Sequence, residues 1–430
     1  MQPSEIVQLS HIIGGGQTIG QLASGKKVLV WGGLPGEKVL LTITKKRSSY
    51  NEAVVQQVVT PSTERIAARD LESFLSTSPW QIMTPESEQH YKAALIEEAF
   101  ELHDIVLPRP INVSSDGRMY EYRNKVEFSW WWDNESSRLD LAFFRRGSHG
   151  KIAVEGTSLA HPSINDAARR LRDILRSRNT EARALKTVIV RRSQTGDIAM
   201  QLYVKDESFE PLRDVEFSTL SIQGFELIYS HPKSPASVIS KRLQHLGTTT
   251  LTDIVRSVSF SYATEGFFQI NLPIYEQALE DIAQWIDASK PVLDLYSGVG
   301  TIGLTTTGAH VTLVESNEHA VREMEQNIRA QGRSAHAQAV LATSESALEY
   351  ITGDKIIIVD PPRAGLHNDV IHALLEAQPD RIIYLSCNPV TQARDVALLA
   401  TRYGIRAHQG YNFFPRTPHI EHLVILDKKD

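Results

Sequence analysis

The stretch 292-VLDLYSGVGTIG-303 decides the fold assignment. Its first four residues, Val292–Leu295, have the composition of a short buried strand, and Gly298, Gly300 and Gly303 follow at the spacing G-x-G-x-x-G. Glycines at this spacing let a ligand and the next helix approach the turn closely, because they carry no side chain. The stretch therefore predicts a strand, a glycine turn and a helix. It does not identify a ligand, since such glycines also occur for structural reasons and in dinucleotide sites.

Short apolar strands alternate with helical patterns around this turn, after an amphipathic helix over residues 274–286. The predicted strands are Val292–Tyr296, His310–Glu315, Ile356–Asp360 and Arg381–Leu385. Such alternation predicts a parallel α/β sheet that binds ligands at the carboxyl ends of its strands. Glu315 ends the second of these strands, where its carboxylate can accept hydrogen bonds from a ribose.

Two further motifs follow predicted strands. The motif 360-DPPRAGL-366 begins with a carboxylate, and its two prolines force an extended turn. The motif 384-YLSCNP-389 contains Cys387, the only cysteine of the chain. A lone cysteine is usually a small buried hydrophobic residue, but a position between a strand and a turn favours a nucleophile. We expect Arg363 or a nearby helix N-terminus to stabilise part of the thiolate charge.

Glu421 lies near the end of the chain in 419-HIEHLVIL-426. The apolar residues from Leu423 onward predict a strand, which would hold Glu421 against the edge of the sheet. A solvated surface carboxylate is the alternative interpretation. His419 and Glu421 also match the H-x-E pattern of zinc deaminases, but the P-C-x-x-C pair that completes that metal site is absent from the sequence.

Three domains are predicted along the chain. Residues 1–60 predict a five-stranded barrel of OB type, since segments rich in β-branched residues alternate with glycine and proline turns. Residues 61–262 mix strands with helices near 88–102 and 164–177, which predicts an α+β central domain. Residues 263–430 contain the α/β pattern described above.

Composition limits the class of protein. Of 430 residues, 41% are hydrophobic and 22% charged, which excludes a disordered chain. A single cysteine excludes a disulfide framework and a cysteine-rich zinc or iron–sulfur site. Because no apolar stretch is long enough to span a bilayer and the N-terminus lacks a secretory pattern, we expect a cytoplasmic protein without a membrane partner.

Charge leaves a nucleic-acid partner open. The net charge is −6, but residues 1–60 carry six basic residues against three acidic ones. Phosphate binding needs a locally basic surface rather than a basic protein. For the short basic pairs Arg145–Arg146 and Arg191–Arg192, solvated surface charge is the favoured interpretation.

Together these motifs resemble the RNA 5-methyluridine methyltransferase family. The order D-L-x-x-G-x-G from Asp294 resembles the first motif of class I methyltransferases and favours S-adenosylmethionine over a nicotinamide cofactor. Five motifs carry the family resemblance in order: 267-FFQIN-271, 293-LDLYSGVG-300, 360-DPPRAG-365, 386-SCNP-389 and 419-HIE-421. The N-terminal barrel is similar to the TRAM domain of many members, and 122-YRNK-125 and 144-FRRGS-148 are similar to motifs of their central domain.

The resemblance implies a Rossmann-like class I methyltransferase domain and a specific division of labour. Cys387 would add to C6 of a uracil, and Glu421 would remove the proton from C5 after methyl transfer. Gln269, Tyr296, Glu315 and Asp360 would hold S-adenosylmethionine, with Glu315 on the ribose. The barrel and central-domain arginines would hold RNA, with ribosomal RNA of the large subunit (23S) favoured over a transfer RNA modified at uridine 54. We expect a monomer.

One departure from the family pattern concerns iron. Many members bind a 4Fe–4S cluster through C-x5-C-x2-C and a fourth cysteine, but the aligned positions here are Asp70, Ser76, Pro79 and Thr157. We therefore expect no cluster and no other metal. Two alternative functions stay open: a NAD-dependent oxidoreductase using the same glycines, and a non-catalytic RNA-binding protein.

Overall fold

The computed structural model describes residues 4–148, 150–308 and 310–429. Within them the strands are β1 (Ser4–Ile12), β2 (Thr18–Gln21), β3 (Lys27–Trp31), β4 (Lys38–Lys46), β5 (Tyr50–Thr60), β6 (Val113–Ser114), β7 (Lys125–Asp133), β8 (Arg138–Phe144), β9 (Lys151–Val154), β10 (Leu185–Arg192), β11 (Ile198–Val204), β12 (Gly224–Tyr229), β13 (Lys241–Gly247), β14 (Thr250–Val255), β15 (Val258–Ala263), β16 (Val292–Leu295), β17 (Val311–Glu315), β18 (Ala337–Leu341), β19 (Ile356–Val359), β20 (Arg381–Ser386), β21 (Tyr403–Tyr411) and β22 (Glu421–Lys428). The α-helices are α1 (Phe74–Thr77), α2 (Pro85–Glu101), α3 (Pro162–Ser177), α4 (Asp214–Leu220), α5 (Leu272–Ala283), α6 (Thr301–Thr306), α7 (Glu318–Ala330), α8 (Asn368–Ala377) and α9 (Pro389–Leu399).

Strands β1 to β5 form a closed barrel in the order β1-β2-β3-β5-β4, which confirms the predicted five-stranded barrel. Inward-facing residues alternate with outward-facing ones along β3 and β4, as a half-buried strand requires. The apolar centre includes Val7, Val28 and Leu41, each at most 2% exposed.

The middle of the chain builds a seven-stranded sheet in the order β13-β12-β11-β10-β7-β8-β9. Helix α3 covers one face of it through Ile164, Ala168 and Leu171, which recur at helical spacing and are fully buried. This arrangement of helices on a largely antiparallel sheet is the expected α+β architecture.

The C-terminal sheet has eight strands in the order β18-β17-β16-β19-β20-β22-β21-β6. Its first five strands are parallel, and β22 then pairs antiparallel with β20. The predicted α/β sheet is confirmed, and the turns after β16, β17, β19 and β20 meet at one edge of it.

Several segments between the barrel and the C-terminal domain pack on the C-terminal sheet rather than on the central one. Helix α2 contributes Ile96 and Phe100 to the same apolar core as β16 and β20. The β14–β15 hairpin contributes Phe260 and Tyr262 to the core on the other face. These segments bridge the two sheets and fix their positions on either side of the functional edge.

No helix in the described part of the chain is long and apolar enough to cross a bilayer.

Candidate functional site

The glycine turn is shaped by close packing against a buried carboxyl group. Gly298 and Gly300 have φ of +57° and +87°, a region that favours glycine. The backbone N–H of Gly303 donates to Oδ2 of Asp294 at 2.9 Å, and a Cβ on Gly303 would lie only 2.7 Å from Leu313. Burial raises the pKa of Asp294 to about 8. The third glycine therefore serves helix-to-strand packing, while the first faces open space.

An open cavity of about 350 Å³ lies against this turn. Three of the four residues predicted to hold a cofactor, Gln269, Tyr296 and Asp360, line it together with Phe267 and Gly298. The fourth, Glu315, does not line the cavity. Its carboxylate accepts hydrogen bonds from the N–H of Gly298 at 3.0 Å and of Asn317 at 2.8 Å. Glu315 thus lies directly behind the turn.

The buried side chain of Arg191 fixes the segment between β15 and α5, which carries Phe267 and Gln269. The Arg191 side chain is 0% exposed, and its guanidinium donates to the carbonyls of Gly266 at 2.6 Å and Phe268 at 2.9 Å. It also lies 4.5 Å from the ring centroid of Tyr262. The interpretation of Arg191 as a solvated surface charge is therefore wrong, because desolvation is offset here by carbonyl oxygens and an aromatic face.

The 122-YRNK-125 motif joins the central sheet to the same segment. The Tyr122 hydroxyl donates to the carbonyl of Pro415 at 2.9 Å, and the Asn124 amide donates to the carbonyl of Gln269 at 3.0 Å. Lys125 donates to the carbonyl of Glu265 at 2.9 Å, and burial lowers its pKa to about 8. Tyr122, Asn124 and Lys125 thus bind backbone carbonyls rather than solvent.

Antiparallel pairing brings Cys387 and Glu421 to the same end of two neighbouring strands. In the β20–β22 ladder Leu385 is opposite Leu423 and Ser386 is opposite His422. Cys387 directly follows the last residue of β20 and Glu421 is the first residue of β22, so both lie at the same end of this strand pair, where the Glu421 carboxyl group acts electrostatically on the Cys387 thiol. Glu421 is 4% exposed, so the alternative of a solvated surface carboxylate is wrong.

The surroundings of Cys387 favour the neutral thiol over the thiolate. Burial, followed by the carboxyl groups of Glu421 and Asp360, raises the pKa of Cys387 to about 11, and Arg363 opposes this only in part. Arg363 lowers the pKa of Cys387, as expected. Burial and the two carboxyl groups raise it by more, so the net shift is upward rather than downward. Burial also raises the pKa of Asp360 to about 7 and that of Glu421 well above its usual range.

A second open cavity, of about 710 Å³, contains Cys387 in its wall. Arg363, Pro418 and His419 line it from the C-terminal domain, and Gly14 and Gly15 line it from the β1–β2 loop of the barrel. Cys387 therefore faces an open space that the C-terminal domain and the barrel line together.

A buried ionic cluster orients the segment that leads into Glu421. Glu88 and Lys92, both 0% exposed, form an ion pair at 3.1 Å on successive turns of α2. Glu88 also accepts the N–H of Arg416 at 3.0 Å, and the Arg416 guanidinium donates to Met83 at 2.6 Å. The analysis of sequence missed these residues, although two charges at i and i+4 within a mainly apolar helix are a usable signal.

Known proteins that are similar to this chain in sequence or fold are RNA methyltransferases. A family model described as tRNA (uracil-5-)-methyltransferase matches residues 91–429. The chain is 29% identical to an RNA methyltransferase of Lactobacillus johnsonii, over 94% of each protein, and 27% identical to one of Enterococcus faecalis, over 92% of this chain and 91% of the relative. The fold matches a tRNA (uracil-54, C5)-methyltransferase of Pyrococcus abyssi, solved with S-adenosyl-L-homocysteine, with a TM-score of 0.79, 20% identity and coverage of 98% of this chain and 100% of that one.

Alkylation kinetics test the electrostatics of the lone thiol. With a pKa of about 11, only about one thiol in ten thousand is ionised at pH 7, so we expect iodoacetamide to react slowly there and faster as the pH rises toward 11. Glu421→Gln removes a negative neighbour and should lower the apparent pKa. Arg363→Gln removes a positive neighbour and should raise it.

Because Cys387 is the only cysteine, labelled protein reports on this site alone. An apparent pKa near 8.5, or the same shift in both variants, would contradict this description of the site.

Proposed function

The chain belongs to the tRNA (uracil-5-)-methyltransferase family, and we propose that it methylates C5 of a uridine in structured RNA through a transient bond between Cys387 and C6 of the uracil. The observation that carries this proposal is that the β20–β22 pairing brings Cys387 and Glu421 to the same end of two adjacent strands. Cys387 lines one open cavity and Asp360, whose carboxyl group acts electrostatically on the Cys387 thiol, lines the other, which suits a reaction between a nucleic acid and a methyl donor.

The residues around the glycine turn fit S-adenosylmethionine. An exposed aromatic ring, Phe267, and the apolar residues Val299 and Ile302 suit an adenine, while Asp360 offers a carboxyl group to amino or sulfonium groups. Glu315 lies outside the cavity wall, next to Gly298, and is proposed as the ribose contact from the family resemblance. The open side of Gly298 leaves the turn accessible. The related archaeal structure was solved with S-adenosyl-L-homocysteine, which supports the same class of cofactor. When bound, S-adenosylmethionine supplies an electrophilic methyl group.

Cys387 and Glu421 divide the remaining chemistry. The Cys387 thiol first gives its proton to water in the adjoining open cavity. Attack of the resulting thiolate on C6 breaks the C5=C6 π bond and moves its electrons toward C5 and the O4 carbonyl, which makes C5 nucleophilic. After C5 has gained the methyl group, Glu421 removes the C5 proton, the C5=C6 bond re-forms and the C6–S bond breaks. A carboxyl group whose pKa lies well above its usual value is a stronger base near neutral pH than an ordinary glutamate. Since C6 is inaccessible inside a helix, the target base must be flipped out.

Large-subunit ribosomal RNA, which the resemblance of the barrel to the TRAM domain favoured, and transfer RNA are the two candidate substrates. The tRNA (uracil-54, C5)-methyltransferase supports the second, because its fold covers 98% of this chain and therefore includes the barrel. The barrel therefore does not rank ribosomal RNA above transfer RNA. Mapping 5-methyluridine in the ribosomal and transfer RNA of a strain that lacks the gene decides between the two substrates, because the substrate RNA loses the modification.

The two alternative functions each leave an observation unexplained. A NAD-dependent oxidoreductase has no use for Cys387 at the same strand end as Glu421, and tighter binding of NAD than of S-adenosylmethionine would favour it. A non-catalytic RNA-binding protein has no use for a buried base beside a thiol, and absence of methyl transfer to any cellular RNA would favour it.

We further propose that hydrogen bonds take the structural role of an iron–sulfur cluster. The Asp70 carboxylate accepts from the Thr157 hydroxyl and the Ser158 N–H, both at 3.0 Å, and from the Gln81 amide at 3.0 Å. Gln81 in turn accepts from the N–H of Arg69 and Asp70. Two of the four positions aligned with cluster cysteines, Asp70 and Thr157, thus bind each other directly and join the same two segments.

Cys387→Ala tests the nucleophile. We expect loss of methyl transfer from labelled S-adenosylmethionine to RNA and loss of any covalent complex with 5-fluorouridine RNA, because fluorine at C5 blocks the final elimination only after sulfur has added to C6. Ser386→Ala, one position earlier on the same strand, is the control and should retain the adduct. A gel-stable adduct in Cys387→Ala would assign the nucleophile to another residue.

Glu421→Gln tests the base. The glutamine is isosteric but cannot take the C5 proton, so methyl transfer should occur once and leave the enzyme bound to methylated RNA. Denaturing gels should show this trapped complex, and turnover should fall by about 10²–10⁴-fold. Normal turnover of Glu421→Gln would show that another group removes the proton.

Iron analysis and Asp70→Asn test the proposed replacement of the cluster. Purified protein should contain no stoichiometric iron or acid-labile sulfide. Asp70→Asn replaces one acceptor oxygen by an NH2 donor facing the donors of Thr157, Ser158 and Gln81, and should cost about 1–3 kcal/mol of stability, measured by denaturant unfolding. Asp206→Asn, an exposed aspartate bonded only within its own loop, is the control. Equal effects of the two substitutions would contradict the proposal.

A further inference from the structure

The turn 360–366, which follows β19, is hydrogen-bonded to the first turns of helix α9. The Asn388 amide and the Thr391 hydroxyl both donate to the carbonyl of Arg363, at 2.9 Å and 3.2 Å. Asn388 is the N-cap of α9, and the helix begins two residues after Cys387. The turn is therefore bonded to the same piece of chain that carries the thiol.

A buried carboxylate, Asp395 of α9, joins this turn to strand β20 as well. Its side chain is 0% exposed, and Oδ2 accepts the backbone N–H of Leu366 at 2.8 Å and the hydroxyl of Tyr384 at 2.7 Å. Oδ1 accepts from the Arg394 guanidinium at 2.7 Å, and the same guanidinium donates to the carbonyl of Ala364 at 3.0 Å. Because an unpaired donor or charge is costly in a buried place, these bonds together specify one position of the turn.

Gly365 lets the turn approach α9 this closely. Its φ is +80°, and a Cβ there would lie 2.6 Å from Oδ2 of Asp395 and 3.1 Å from Cβ of Thr391. A side chain at this position would therefore force the turn away from the helix and break the bonds that α9 makes to it. The close contact between turn and helix thus depends on a residue without a side chain.

The turn and the thiol line both open cavities. Asp360, the first residue of the turn, lines the cavity against the glycine turn, whereas Arg363 and Cys387 line the second cavity. The bonds from α9 therefore fix the spacing between the wall of one cavity and the nucleophile in the other. Reactions between two bound groups depend steeply on such spacing, and a misplacement of about 1 Å can cost about 10²-fold in rate.

We propose that Asp395 is a positioning residue that holds the turn 360–366 at a fixed distance from Cys387, so that the methyl donor and the uracil meet in a reactive geometry. This inference rests on the proposed function and adds to it a residue that lines neither cavity and acts through the backbone of the turn.

A double-mutant cycle on the thiol tests the spacing without RNA. Burial, Glu421 and Asp360 raise the pKa of Cys387 and Arg363 opposes them, so Arg363→Gln should raise the apparent pKa of iodoacetamide alkylation. Asp395→Asn should reduce this rise to about half or less, because Arg363 is then no longer held beside the thiol. An equal rise in both backgrounds would overturn the proposal, whether or not the wild type methylates RNA.

Steady-state methyl transfer from labelled S-adenosylmethionine to bulk RNA gives the second readout. We expect Asp395→Asn and Thr391→Val each to lower kcat by about 10–10²-fold, with little change in KM for S-adenosylmethionine, because the turn is displaced while the remaining cofactor contacts persist. Thr391→Ser keeps the hydroxyl and should restore most of the rate. Asp287→Asn changes an exposed aspartate bonded within its own turn and is the control.

Thermal unfolding separates positioning from stability. Thr391→Val is nearly isosteric and keeps the proposal testable if Asp395→Asn does not fold. Variants that lose stability but retain the kcat of the wild type would overturn the proposal, and so would a rise in KM with kcat unchanged. Absence of methyl transfer by the wild type would instead overturn the proposed function, and the alkylation cycle would still test the spacing.

Discussion

The antiparallel pairing of β22 with β20 is the constraint on which the site depends. In the parallel part of the sheet, every carboxyl end points to the same edge, so polar residues meet there only side by side. An antiparallel strand instead begins where its neighbour ends. It therefore brings the first residue of β22, Glu421, to the same end of the pair as the residue just past β20, Cys387. A shift of one residue in register would turn the Glu421 side chain to the other face of the sheet.

Buried charged side chains fix the segments of the site that lie outside the β20–β22 pairing. Arg191 fixes the segment carrying Phe267 and Gln269 through carbonyl oxygens and an aromatic ring, whereas Glu88 and Lys92 fix the 412–418 segment as an ion pair. Removing one member of such a group leaves an uncompensated charge in a medium of low polarity, which costs several kcal/mol. These interactions therefore specify one arrangement of the loops around both cavities rather than merely adding stability.

The sequence predicted the positions of strands and helices better than the burial and charge around individual side chains. Strand ends at Leu295, Glu315 and Val359 follow from short apolar runs, because period and composition are local properties. The burial of Arg191 and Glu421 is not local: it depends on strands distant in sequence that cover them. For the same reason the sign of the shift in the Cys387 pKa could not be predicted, since it is set first by burial and then by two carboxyl groups, from β22 and from the turn after β19.

The glycine wall of the barrel loop has an evolutionary consequence. Gly14 and Gly15 offer only main-chain atoms to the cavity, and Gly16 cannot gain a side chain without displacing Pro418. Positive φ values disfavour side chains at Gly15 and Gly16, so variation is easier at the rim of this cavity than on that part of its wall. A lineage could exchange one target nucleotide for another by altering that periphery while the reactive centre stayed as it is.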